Sequence, residues 1–216
     1  GLGRWSWIRV TGIYGIKARI VTAYQPHITR DLNKCGTVYQ QPKQYWMSQD
    51  SDKCPVELFR KHLIAKITKW RNQREKIVLL IDCNEDIRYS KLSELLQEIG
   101  MISPIIQKFG QGDLPPTYHR GREPIDNIYI SHDIAFTRTG YLEFGDGPGD
   151  HRALYIDIHK PSLVGEPIHT INRLLGRRLI STNHKVATKF NQLFSKFLER
   201  HNIFERMNKL DNSCVD

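Results

Sequence analysis

The chain has 216 residues, of which 39% are hydrophobic and 10% aromatic, enough apolar material for one sizeable core and too much for a disordered polypeptide. Its 32 Lys and Arg against 23 Asp and Glu give a formal charge of +9 and a pI of about 9.4; anionic partners are favoured, nucleic acid first, although the interspersed signs also suit plain solubility. The longest aliphatic run, Ile77 to Ile81, is far too short to span a bilayer, and no apolar leader opens the chain.

Cys35, Cys54, Cys83 and Cys214 form neither a CxxC pair nor a zinc-finger spacing. A soluble protein of a reducing, intracellular compartment is expected, with an isolated disulfide as the alternative.

WSWIRV and KARIVTAY, between Trp5 and Tyr24, read as two strands of a hairpin turned at Gly12 and Gly15. Pro26 stops regular pairing after Tyr24. Thr29 to Lys53 is polar, broken by Pro42 and without clear period, and reads as a long surface loop holding one helical turn. Pro55 opens a helix in which Phe59, Leu63, Ile67 and Trp70 recur at helical spacing.

IVLLIDCNEDIR, Ile77 to Arg88, then runs straight from apolar residues into Asp82 and Asn84. It reads as a strand buried on both faces, and two further extended residues would aim Asp82 and Asn84 to the same side. The competing reading is that this pair starts a turn. Ser90 caps a second helix, with Leu92, Leu95, Leu96 and Ile99 as its apolar face and Gly100 at its end.

After a loop rich in Gly and Pro, Ile125 to Ser131 of PIDNIYIS reads as a strand, and IAFTRTGYLEF as another. The GDGPG loop delivers Asp150 and His151 to ALYIDI, where Leu154, Ile156 and Ile158 alternate with outward residues. Beyond Lys160 the strand signals fade. Arg173, Arg177 and Arg178 precede an apolar stripe of Val186, Phe190, Leu193, Phe194, Phe197 and Leu198 on a basic helix. The division expected is a domain over 1–160 and a helical, basic extension over 161–216, with helices interleaved among strands in an α/β architecture.

Hydrolysis of a phosphodiester needs positive charge on the phosphate, a group that orients and deprotonates water, and donors for the charge that develops on oxygen. Suitable side chains stand at separate strand ends: Tyr24, the Asp82 and Asn84 pair, Asp126, and Asp150 with His151. Singly, each has a structural reading: a wet strand-end aromatic, a turn former, an edge charge, a cap, a core histidine.

Together the motifs VTAYQP, IDCN, PIDNIYIS and GDHRAL, in that order from about Trp5 to His159, resemble those of the endonuclease/exonuclease/phosphatase superfamily, most like the endonuclease domains of non-LTR retroelements. The resemblance implies a DNase I-like fold: two β-sheets packed as a sandwich and flanked by helices, four αββα layers, with a helical C-terminal extension. It also implies a Mg2+- or Mn2+-dependent endonuclease acting on DNA rather than RNA in the nucleus. A reverse transcriptase would follow in the same polypeptide, and no membrane would be involved.

By the same resemblance, Asp82 orients or deprotonates the attacking water and Asn84 holds that water or a phosphate oxygen. Asp126 fixes the imidazole of His151, which bonds the phosphate or acts as base. Asp150 ligates the metal and Tyr24 donates to the phosphate. Ile81, His27 and Pro124 stand where the family has Gly, Asn and Arg, and no Glu occurs before Glu57 to match the family's metal-binding Glu. The chain is therefore expected to be the later part of such a domain, short of its first strands, with an exposed sheet edge and with activity only once those strands are restored. The alternatives are a catalytically dead nucleic-acid-binding module and a phosphatase of the same fold.

Overall fold

In the computed structural model, which describes residues 4–28, 39–47, 54–147, 149–166 and 182–211, the opening β-rich runs form the expected hairpin. β1 (Trp5–Thr11) pairs antiparallel with β2 (Lys17–Tyr24), and a 3-10 turn over Ile13–Gly15 joins them. Gly15, at φ 75°, supplies the left-handed residue that the turn requires.

The polar stretch after β2 holds more helix than the sequence implied: α1 (Gln40–Met47) is a helix of 8 residues, with Pro42 in its first turn, where a missing N–H costs nothing. The rest of that stretch, and Arg173, Arg177, Arg178, Cys35 and Cys214, lie outside the described residues. Cys54 and Cys83 are free thiols.

α2 (Pro55–Asn72) starts at its proline and buries Phe59, Leu63, Ile67 and Trp70, the spacing that marked it as a helix. β3 (Lys76–Asp82) is the apolar run, parallel to β2. α3 (Lys91–Glu98) begins at Ser90, whose hydroxyl accepts from the Ser93 N–H at 3.1 Å. Two short elements escaped the periodicity, β4 (Met101–Ile102) and α4 (Pro104–Phe109), since neither is long enough to show a period. β5 (Asp126–Ser131), β6 (Phe136–Tyr141), β7 (Leu154–Ile158) and α5 (Lys160–Val164) follow.

The larger sheet has the strand order β1-β2-β3-β5-β4, and β6 pairs with β7 in a second sheet. β3 is central and buried on both faces because both faces are covered. Ile77, Leu79 and Ile81 pack with Leu63, Ile67, Leu92 and Leu96 of α2 and α3. On the other side Val78, Ile128 and Ile130 pack against Phe136, Leu154, Ile156 and Ile158 of the second sheet. The result is a mixed α/β fold of two packed sheets flanked by helices. β1 lies at one end of the larger sheet, with Trp7 and Ile8 exposed.

The chain divides into two compact units, Gly1–Ile168 and His169–Asp216. In the second, α6 (His184–Arg200) and α7 (Ile203–Asp211) pack on each other. Val186, Phe190, Leu193, Phe194 and Phe197 of α6 are exposed. No described helix is long and apolar enough to cross a membrane.

Candidate active site

The register of the larger sheet aligns three strand ends. Tyr24 is opposite Asp82 across β2 and β3, and Asp82 is opposite Asp126 across β3 and β5. Partners in register share a face, so these side chains form a row with about 4.8 Å between strands. β3 ends at Asp82 because the chain turns there. Asp82 Oδ1 accepts the Asn84 N–H at 2.9 Å, and Asn84 takes φ 49°, a left-handed conformation that Asn tolerates. The expectation that extended backbone carries Asn84 to the side of Asp82 is therefore corrected: the turn reading describes the backbone. The Nδ2 of Asn84 donates to the Gln25 carbonyl at 2.7 Å.

His151 arrives from the loop between β6 and β7. Segment 117–119 binds segment 150–152: Arg152 N–H donates to the Thr117 carbonyl at 2.6 Å, His119 N–H to the Asp150 carbonyl at 2.9 Å, and Tyr118 bridges His151. The buried Thr117 hydroxyl accepts the N–H groups of Ile125 and Asp126 at 2.9 and 3.1 Å, so one residue fixes both the start of β5 and the His151 loop. The His151 ring meets the Tyr118 ring at 5.2 Å between centroids, and its Nδ1 is 2.8 Å from Asp126 Oδ2. Sequence reasoning passed over Thr117, whose only signal is a hydroxyl residue two positions past Pro115.

A carboxylate oxygen of Asp82, one of Asp126 and a ring nitrogen of His151 all lie within 4.8 Å of one another, close enough to hold a metal ion. Asp150, the ligand expected from the sequence, is exposed and not part of that trio, although its charge acts on His151. Tyr24, 39% exposed, stands at the end of the row.

Burial pushes the Asp82 carboxyl up to about 6 from its ordinary 3.8, and Asp126 adds to this; the Asn84 N–H, His151 and His27 pull it down only in part. His151 is pulled down by burial, but the hydrogen bond and charge of Asp126, with Asp82 and Asp150, outweigh that and hold it above its ordinary value. The site thus pairs a carboxyl short of positive charge with an imidazole that favours its cation. A cation among the Asp82 and Asp126 oxygens would supply the missing charge. Mg2+ commonly takes one or two carboxylates and completes its shell with water and substrate phosphate, so this donor set fits a hard divalent ion.

No family model matches the chain, and no curated protein matches it in sequence. Among solved structures it is similar to the catalytic domain of human Nocturnin with bound sulfate (TM-score 0.48, 13% identity, 72% of this chain and 60% of that one). It is also similar to an endonuclease/exonuclease/phosphatase family protein from Bacteroides thetaiotaomicron (0.47, 15%, 71% and 55%). A third likeness is to a 3′ phosphatase from Neisseria bound to product DNA hairpin (0.46, 16%, 71% and 64%). The chain spans 55 to 64% of the length of these structures.

Proposed function

We propose that the chain carries a phosphoester-hydrolysing site of the endonuclease/exonuclease/phosphatase kind, built on Asp82, Asp126 and His151. One observation carries the reading: an imidazole bonded to a buried-side carboxylate at 2.8 Å, with a second carboxyl, pushed up to about 6, within the same few ångströms. Groups whose environments push their proton affinities toward neutrality, in one cleft, are what general acid-base chemistry requires.

Asp126, as a carboxylate, can only accept, so Nδ1 of His151 carries the proton of their bond and Nε2 is left for the phosphate. In this reading His151 in its cationic form donates to a phosphate oxygen as negative charge grows there, as phosphate donor rather than base. Asp82 accepts a hydrogen bond from the attacking water and takes its proton as the water oxygen bonds to phosphorus and the P–O bond to the leaving sugar oxygen breaks, that oxygen taking a proton from solvent. Tyr24 donates its hydroxyl to a second phosphate oxygen. The Oδ1 of Asn84 accepts from the same water, while its Nδ2 holds the turn. Mg2+ or Mn2+, held by the Asp82 and Asp126 oxygens with Asp150 beside them, would add positive charge at the phosphate and acidify its water.

In this reading the substrate is a nucleic-acid diester, a polyanion that the +9 charge favours, and DNA before RNA because the motifs are most like those of retroelement endonucleases. The retroelement reading goes with it: an endonuclease domain over 1–160, the basic extension over 161–216, a reverse transcriptase in the same polypeptide, and work in the nucleus, supported by the motif order.

The test compares plasmid DNA with p-nitrophenyl phosphate, each with Mg2+ or Mn2+, in the full-length natural protein. Diester cleavage should dominate, and His151→Ala should lower it ~10²- to 10⁴-fold. Preference for the monoester would make this a phosphatase. Salt-sensitive DNA binding without any hydrolysis would make it a binding module.

A further inference from the structure

Behind the row of site residues lies a polar cluster to which the hydrolytic steps above assign no role. Gln25 follows Tyr24, immediately before the proline that ends the strand, and is 2% exposed. Its N–H donates to the Asp82 carbonyl at 2.9 Å, and its Nε2 donates to the Cys83 carbonyl at 2.5 Å. Its own carbonyl accepts the Asn84 Nδ2 at 2.7 Å. Its Oε1 accepts the Nε of Arg60, from α2, at 3.0 Å, and the other arm of that guanidinium reaches Glu85 Oε2 at 2.6 Å. Glu85 Oε1 accepts the hydroxyl of Ser90, the cap of α3, at 2.6 Å. Gln25 thus holds Asp82 and Asn84 through its main chain and the Cys83 carbonyl between them through its side chain, and Arg60 holds both that side chain and Glu85.

Two features set this apart from ordinary loop anchoring. The Gln25 amide is buried and the Arg60 guanidinium partly so where apolar side chains would bury at less cost, a choice that gains geometry rather than stability. The turn they grip contains a non-glycine residue at φ 49°, a conformation that surrounding structure must hold in place. Buried polar groups with their partners in place make such a segment rigid.

We propose that Gln25 and Arg60 form a clamp that sets the direction of Asp82 and Asn84. They are positioning residues, touching neither substrate nor metal, and the inference rests on the hydrolase reading above.

Gln25→Met keeps the volume and removes the side-chain hydrogen bonds; Arg60→Ala removes the fork and opens a site that added guanidinium ion can refill. In the full-length natural protein acting on plasmid DNA with Mn2+, each variant should lose about 10- to 100-fold in kcat with KM little changed, since a displacement of about 1 Å costs that much. Guanidinium should restore part of the Arg60→Ala loss and none of the Gln25→Met loss. Unchanged kcat in both variants overturns the clamp, and so does rescue that fails on folded Arg60→Ala.

Failure of the hydrolase reading looks different, because the wild type then turns over nothing. The clamp is in that case judged by NMR. Gln25→Met must move the side-chain amide resonances of Asn84 and leave those of Asn183, the cap of α6, in place; an unmoved Asn84 signal overturns it.

Discussion

At the scale of single residues, Asp82 carries the sharpest consequence. Its carboxyl is held at about 6 in the folded chain against an ordinary 3.8, so folding favours its protonated form. The stability this contributes is present below pH 3.8 and lost as pH rises through about 6. His151, raised by Asp126, behaves alike one step higher: its contribution is present below the ordinary histidine value and lost as pH rises past it. Metal-free protein should thus grow less stable as pH rises from about 4 through 6 and on past the ordinary histidine value.

Asp82→Asn should flatten the lower part of that decline and stabilise the metal-free protein at pH 7 by about 1 to 2 kcal/mol, after allowance for solvent screening of a half-buried group, while removing activity. Urea titrations at several pH values check it; a less stable Asp82→Asn at neutral pH would contradict the electrostatic picture. Asp82, Asp126 and His151 were legible in the sequence through the order of the motifs IDCN, PIDNIYIS and GDHRAL, since each residue alone has a structural reading. Gln25 was not, since a polar residue before a proline looks like loop, and only the fold shows it buried.

At the scale of elements, period and punctuation carried most of the reading. The hairpin, α2, β3, α3 and the strands bearing Asp126 and following His151 lie where alternation, helical spacing, Pro55 and Ser90 set them. What failed was extended geometry past Asp82, where the side chain of Asp82 itself bonds the backbone of Asn84 and ends the strand. α1 was hidden because proline in a first turn looks like a breaker, and β4 and α4 because a single helical turn and a two-residue strand have no measurable period.

Ser90 links an element to the site, capping α3 through its hydroxyl and donating to Glu85. Ser90→Ala should cost about 1 to 2 kcal/mol, one cap plus one charged partner left wanting. Ser90→Thr, which keeps the hydroxyl, should recover most of it. Thermal melts of the two variants distinguish them, and equal losses would show that the hydroxyl is not what matters.

At the scale of the whole molecule, charge pointed to an anionic partner and the resemblance carried by four short motifs implied two packed sheets, with which the fold agrees. What no local pattern contains is the convergence of the site. Asp82, Asp126 and His151 come from a strand end, a strand start and a loop far apart in the chain, and only register and the pairing of segment 117–119 with 150–152 unite them. The exposed apolar stripe on α6 was equally visible in the sequence, because helical spacing shows a stripe whether or not anything covers it.

The claim that these residues act as one hydrolytic unit is tested most directly by a double-mutant cycle on metal-dependent plasmid nicking. Asp126→Asn, His151→Ala and the double variant are compared as kcat/KM. If Asp126 works through His151, the double variant should be no slower than His151→Ala alone. Losses that multiply, or single variants that nick like the wild type, would show that the two side chains are neighbours without a shared task.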